Sequence, residues 1–324
     1  MENQIENQEE RQVKPTLAIT MASLVHGESS ETVPATLVYG LSDLTPLEIA
    51  EFRPVWGKLD DEYRIKVMHS LAETSETNFE MNYRSIGLFG LSDDHPEVRQ
   101  AAIEVLWEDE SLELMERLIK LAREDDVDDV RAAALSALGR FILLGELGDL
   151  PEDETLKAQQ IALKILDDKK LPAEVRRRAL EAISNSSHDR LPALIKAAYR
   201  NDDRIMKVSA VFAMGKSCDD QWENIVLREI DNDDPEMRYE AARAAGELEI
   251  VDAVPALIAL IETEDDREIL GAAVWSLGEI GSREATRILE RVLERAEQDG
   301  DDDMIEAAED ALGSATSAGS GLAL

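Results

Sequence analysis

The string DDPEMRYEAARAAGELEI (Asp233 to Ile250) returns in altered form along most of this 324-residue chain. Registered on Met237, the repeats put Tyr63, Val98, Val130, Val175, Met206, Met237, Ile269 and Met304 in one column, 35, 32, 45, 31, 31, 32 and 35 residues apart. Four residues on stand Val67, Ala102, Ala134, Ala179, Ala210, Ala241, Ala273 and Ala308. Eight residues on stand Leu71, Leu106, Leu138, Ile183, Met214, Ala245, Leu277 and Leu312. These offsets lie on one helical face, so each unit predicts a helix with a narrow apolar stripe. The small residue in the middle lets a neighbouring helix come close. One such unit cannot bury both its faces alone. It must show the same face to the next unit, and that requirement makes the string recur.

A further helix precedes each acidic turn, as in VDAVPALIALIE (Val251 to Glu262) and HDRLPALIKAAY (His188 to Tyr199). Thr45, Pro46 and Glu48 read as a capping box with a first-turn proline, and Pro96 and Pro235 open later helices. Gly139, Gly215, Gly246, Gly278 and Gly313 follow the stripe and are expected to end their helices. The predicted fold is all-α: an α-solenoid of about eight helical hairpins over residues 43–313, with a helical cap over 16–42. The 45-residue spacing contains an insertion, 141–154, expected to form a loop with Phe141 to Leu144 packed on the scaffold. Residues 1–15 and the Gly/Ser-rich 314–324 are expected to be disordered.

The pattern V-R-x-x-A-x-x-A-L-G after an acidic turn, with P-A-L-I in the preceding helix, resembles HEAT repeats of the short phycobilin-lyase-like type. The resemblance spans 43–313 and is strongest over Asp219 to Gly313. Tyr63 at an anchor and Trp107 in place of a terminal glycine depart from it. It implies a stacked-hairpin fold and, in the lyases of this repeat type, the holding of a bilin for transfer to a protein cysteine. It carries no particular catalytic residue into this chain.

Charge narrows the function classes. With 34 basic and 70 acidic residues, the net charge is −36, a field that repels phosphate backbones and argues against nucleic-acid binding. The same charge suits a basic partner, solubility, or a high-salt habitat. The polar start MENQIENQEERQVKP has no basic-then-apolar leader and no apolar run is long enough to span a bilayer, so a cytoplasmic location without membrane insertion is expected.

The residue after each anchor is basic in six units: Arg64, Arg99, Arg131, Arg176, Lys207 and Arg238. Five residues before the anchor the turns offer Asp93, Asp125, Asn201, Asn232, Glu264 and Asp299, with Lys58 and Lys170 as exceptions. In HEAT families the corresponding Asp and Arg tie neighbouring repeats. The functional reading of the same row is a lining that receives acidic groups, with Arg176, Arg177 and Arg178 as the one local positive cluster, suited to an acidic peptide or a propionate. Trp107 and Trp222 are candidate partner contacts, because aromatic residues concentrate interface energy; Trp275 is expected to pack. The candidate partner-binding residues are therefore Arg99, Arg131, Arg176, Arg177, Lys207, Arg238, Trp107 and Trp222.

Other chemistry has little support. The acidic turns lack EF-hand spacing and read as helix caps. None of His26, His69, His95 and His188 has a histidine three or four residues on, or a glutamate next to it, so the iron-binding pairs of HEAT-repeat deoxyhypusine hydroxylases are missing. Cys218 has no histidine fixed by spacing and reads as structural. No catalytic set, metal site or cofactor is expected. The function that follows is a non-catalytic protein-interaction scaffold, its sharper form one that takes a basic segment. The alternative is a lyase-like or chaperone-like protein handling a tetrapyrrole or its acceptor protein.

Overall fold

The computed structural model describes residues 14–321. Among these there is no strand. The helices are α1 (Leu17–Gly27), α2 (Ala35–Gly40), α3 (Pro46–Trp56), α4 (Asp61–Thr77), α5 (Arg84–Gly90), α6 (Pro96–Val105), α7 (Leu112–Glu124), α8 (Asp128–Leu147), α9 (Glu152–Asp167), α10 (Ala173–Ile183), α11 (Leu191–Tyr199), α12 (Arg204–Lys216), α13 (Glu223–Glu229), α14 (Pro235–Glu247), α15 (Val254–Thr263), α16 (Arg267–Ile280), α17 (Arg283–Asp299) and α18 (Asp302–Gly321). From α3 onward they alternate as first and second helices of hairpins, so the fold is an all-α solenoid with α1 and α2 in front. The chain divides into two compact units at Ala134/Leu135, within α8.

The stripe read from sequence is the core. All eight residues at the +4 offset, from Val67 to Ala308, are wholly buried. At +8 burial holds from Leu71 to Leu277, while Leu312 in the last hairpin is half-buried. In the first unit α4 packs on α6, and Phe52, Trp56 and Phe89 form an aromatic knot, with Phe52 and Trp56 centroids 5.3 Å apart. In the second unit each second helix packs on the next, in the order α10, α12, α14, α16, α18.

The glycines after the stripe do not end their helices. Gly215, Gly246 and Gly278 lie inside or one residue from the end of α12, α14 and α16, where the next second helix crosses against bare backbone. A Cβ at Gly215 would stand 2.9 Å from Ala244 Cα, one at Gly246 2.8 Å from Ser276 Cα, and one at Gly278 2.8 Å from Ala311 Cα. Gly139 is likewise inside α8, and Gly313 inside α18. The turn itself comes three residues later, at Cys218, Glu249 and Gly281, with φ of 48°, 50° and 60°. There the N–H of Ile250 donates back to Ala245 O at 2.9 Å, closing the helix end. A left-handed non-glycine residue carries a steric cost. Glu249→Gly is therefore expected to raise the unfolding free energy by about 0.5–1 kcal/mol, read from the urea midpoint. A fall would mean that Glu249 fits this conformation without strain.

The insertion is not a loop. α8 runs on to Leu147 and α9 starts at Glu152, so the extra residues lengthen two helices and leave a short link. The reason is packing: Phe141 and Ile142 are buried, and Gly145 gives room to Thr155 of α9. Leu143 and Leu147 remain exposed. The C-terminal segment departs from expectation over its described part, since α18 continues to Gly321 with Ala315 buried; 322–324 lie outside the described residues. The expectation of disorder for 1–15 falls almost wholly outside the described residues. Among the described residues no helix is long and apolar enough to cross a membrane.

Candidate functional site

The basic row after the anchors serves the scaffold. Arg64 donates to Asp93, Arg99 to Asp125 (Nη2 to Oδ1 2.7 Å) and Arg238 to Glu264 (Nη2 to Oε2 2.7 Å), each reaching the turn of the following hairpin. The ladder forms only where the following turn supplies a carboxylate. Lys170 and Asn201 supply none, and there Arg131 and Arg176 instead turn back to Ala122 O and Leu166 O, at 3.1 and 3.2 Å, near the ends of the helices that precede them. Lys207 is half-buried and makes no side-chain ion pair among the described residues. Trp222 is only 3% exposed, packed where Trp222 leads into α13, so it cannot meet a partner as expected. Trp107, at 41%, does stand open.

The surface left to a ligand is on the other side of the second helices, at offsets −1, +3, +6 and +10 from the anchor. In α10 these are Glu174, Arg178 and Glu181; in α12, Phe212 and Lys216, with Ser209 buried; in α14, Glu236, Glu240, Arg243 and Glu247; in α16, Glu268, Trp275 and Glu279, with Ala272 buried. Of the candidates read from sequence only Arg177 belongs here, one position off the row. Arg177 and Arg178 both hold Glu174 and Glu181, and Ser209 Oγ donates to Glu181 Oε1 at 2.5 Å. Lys216 Nζ pairs with Glu247 at 2.6 Å and lies over the Phe212 ring. The Arg243 guanidinium lies 5.3 Å from the centroid of Trp275. Trp275 is thus half-exposed rather than packed away as expected.

Beside Trp275 a shallow groove of about 510 Å³ is lined by Tyr239, Arg243, Glu268, Gly271, Ala272 and Trp275. Gly271 and Ala272 make a low floor between taller aromatic walls. A second depression of about 420 Å³ opens over Ile258, Ile261 and Val292, with Arg291, Arg295, Glu262 and Asp265 also lining it. Its charges are mixed, and it lies by the first helices, away from the row. Among the described residues no three His, Cys, Asp or Glu side chains gather as a metal site.

Glu240 is one of the half-buried carboxyls of the row. Among the described residues its carboxyl takes part in no hydrogen bond or ion pair, though it is half-buried. Burial, opposed by Arg243 and reinforced by Glu181, Glu247 and Glu236, pushes its pKa from 4.5 up to about 7. The folded protein therefore holds a proton that the unfolded chain has lost. Its stabilising contribution is complete below about pH 4.5 and disappears as pH rises through about 7. Glu240→Gln is expected to exceed wild type in stability above neutrality by about 1–2 kcal/mol, residual water contact limiting the gain. The advantage is expected to shrink below about pH 5. Urea midpoints of both proteins across this range check it, and parallel curves would remove the assigned titration.

The sequence alone did not reveal this row, because the periodic stripe marks the buried face and leaves both flanks of each helix open. The one available signal was chemical variety: the +6 column reads Glu181, Phe212, Arg243, Trp275, where a purely solvated flank would repeat small or like-charged residues.

The geometry has counterparts among known proteins. A family model described as HEAT repeats matches residues 88–184 and 223–313. No curated protein matches the sequence. Among solved structures, the complex of CpcE and CpcF of phycocyanin lyase from Nostoc sp. PCC7120 is similar with 17% identity over 76% of this chain and 93% of that one, at a TM-score of 0.53. YibA of E. coli is 16% identical over 86% and 95%, TM-score 0.45. Human deoxyhypusine hydroxylase is 17% identical over 82% and 95%, TM-score 0.36. At these identities the likeness is one of fold.

Proposed function

The chain belongs to the HEAT-repeat family, and from that premise we propose that it is a non-catalytic scaffold binding a protein partner along the row of second helices from α10 to α16. One observation carries the reading: Phe212 on α12 and Trp275 on α16 stay half-exposed on the same row, and Trp275 lines the groove. Aromatic side chains held beside ordered charges are what protein interfaces use as anchors. The ion pairs that surround them hold the row in one shape before a partner arrives, which lowers the ordering cost of binding.

The tetrapyrrole alternative draws on fold likeness to the lyase complex, which is a weak warrant for function. The arginines that would receive a propionate, Arg177 and Arg178, already hold Glu174 and Glu181.

The test is a pull-down from native extract with tagged wild-type protein and a Phe212→Ala/Trp275→Ala variant, eluted with graded salt. Helix content by circular dichroism confirms that the variant folds. A discrete partner retained by wild type and lost from the variant supports the row. A partner held equally by both moves the site elsewhere, and no partner at all removes the scaffold reading.

A further inference from the structure

We propose that the groove between α14 and α16 receives a proline-rich segment of a partner in the polyproline II conformation, with a lysine or arginine beside the prolines meeting Glu268. The inference rests on the scaffold reading in taking the ligand to be a polypeptide, and it names the conformation and chemistry of that polypeptide.

The groove is built from Tyr239 and Arg243 of α14 and Glu268, Gly271, Ala272 and Trp275 of α16. Its floor is open, with no atom within 4 Å of where a Cβ of Gly271 would be. Its aromatic walls are held in place. The Arg243 guanidinium lies over the Trp275 ring, and Arg243 is tied in turn to Glu247 at 3.4 Å. The Cζ3 corner of the same ring lies against Gly246. Proline rings pack on aromatic surfaces of this kind at a low ordering cost, because the polyproline II helix is already populated in the free chain.

The free polar groups of the groove select the same ligand. The indole N–H of Trp275 is across the ring from Cζ3, so it turns away from Gly246, and it donates to no group among the described residues. The Tyr239 hydroxyl stands beside the Arg243 guanidinium, itself a donor, and so keeps its own proton to give. The N–H and C=O groups within α14 and α16 are spent on their own helices. A peptide laid here finds donors for its carbonyls. Proline offers carbonyls and has no N–H to satisfy. An added strand needs a sheet edge, and among the described residues there is no strand. A docked helix needs a groove with anchor sites repeating over several turns, whereas this groove is short and aromatic.

Charge sets what stands beside the prolines. Glu268 is exposed, and its carboxylate is in no ion pair among the described residues. A lysine or arginine next to the prolines gives it a partner. The net charge of −36 steers such a segment toward the protein.

The experiment is fluorescence anisotropy of a fluorescein-labelled peptide of about ten prolines closed by an Arg-Arg pair, at an ionic strength of about 0.15 M. A second peptide keeps the arginines and replaces the prolines with glycine and serine. The proteins are full-length wild type, Gly271→Leu, Trp275→Ala and Glu268→Gln, each checked for helix content by circular dichroism. Gly271→Leu fills the groove from an open position, so it is expected to fold. Wild type is expected to bind the proline peptide roughly tenfold more tightly than the glycine–serine peptide. Gly271→Leu and Trp275→Ala are each expected to lose about that tenfold, and Glu268→Gln about threefold. Equal affinity of wild type for both peptides overturns the polyproline ligand and leaves charge attraction alone. Wild-type affinity in Gly271→Leu overturns the groove as its site, and wild-type affinity in Glu268→Gln overturns the basic neighbour. No binding by wild type overturns the proposed occupant. The scaffold reading fails separately, in the native-extract pull-down, where a partner lost from the Phe212→Ala/Trp275→Ala variant sustains it whatever the peptides do.

Discussion

Asp93→Ala is expected to cost about 3–5 kcal/mol of stability, because it strands a buried cation. Asp93 accepts from Trp56 Nε1 at 2.6 Å, from Arg64 Nη1 at 2.5 Å and from its neighbour His95 N at 2.9 Å. The Asp93 side chain is 2% exposed and that of Arg64 9%, so water cannot replace the carboxylate. Arg64 keeps Asp61, whose side chain is largely in solvent and gives a weaker partner. Trp56, in the aromatic knot with Phe52 and Phe89, loses the carboxylate that accepts from its indole N–H. Urea denaturation followed by circular dichroism reads the loss. Replacing both Arg64 and Asp93 with leucine is expected to recover much of it, since no lone charge remains. A loss under about 1 kcal/mol in Asp93→Ala would mean that Asp61 alone satisfies Arg64.

Gly246→Leu is expected to destabilise by about 3 kcal/mol, at the upper end of the cost of overpacking. The first added atom already conflicts with backbone: the Cβ would stand 2.8 Å from Ser276 Cα and 2.8 Å from Trp275 Cζ3. Ser276 cannot withdraw, because it is buried and its hydroxyl donates to Ala242 O across the same crossing at 2.7 Å. α14 and α16 must separate, which opens the buried Ala242, Ala245 and Ala273 to voids. Gly271→Ala on α16 is the matched control. Nothing lies within 4 Å of its Cβ position, so better helix propensity is expected to raise stability by about 0.5–1 kcal/mol. Opposite signs for the two glycine replacements in one set of urea curves bear out the crossing. A neutral Gly246→Leu would show that the second helices can slide apart freely.

The amino-acid sequence by itself determined the helical class, the hairpin register and the buried face. Offsets of 0, 4 and 8 share one face of a helix, the alanines and leucines that fill them favour helix over strand, and eight repetitions leave a stack as the way to bury them. The Arg–carboxylate ladder was legible too, since Arg99 with Asp125 and Arg238 with Glu264 stand at a fixed interval. What tertiary structure alone decided depends on the neighbour across a gap. A glycine after an apolar stripe reads equally as a helix stop or as a crossing point, and it was the approach of Ser276 and Ala311 that made Gly246 and Gly278 crossings. An apolar insertion reads as a loop until Phe141, Ile142 and Thr155 find partners that keep it helical. The flank bearing Glu240, Arg243 and Trp275 has no period of its own, and only packing of the other flank left it facing solvent.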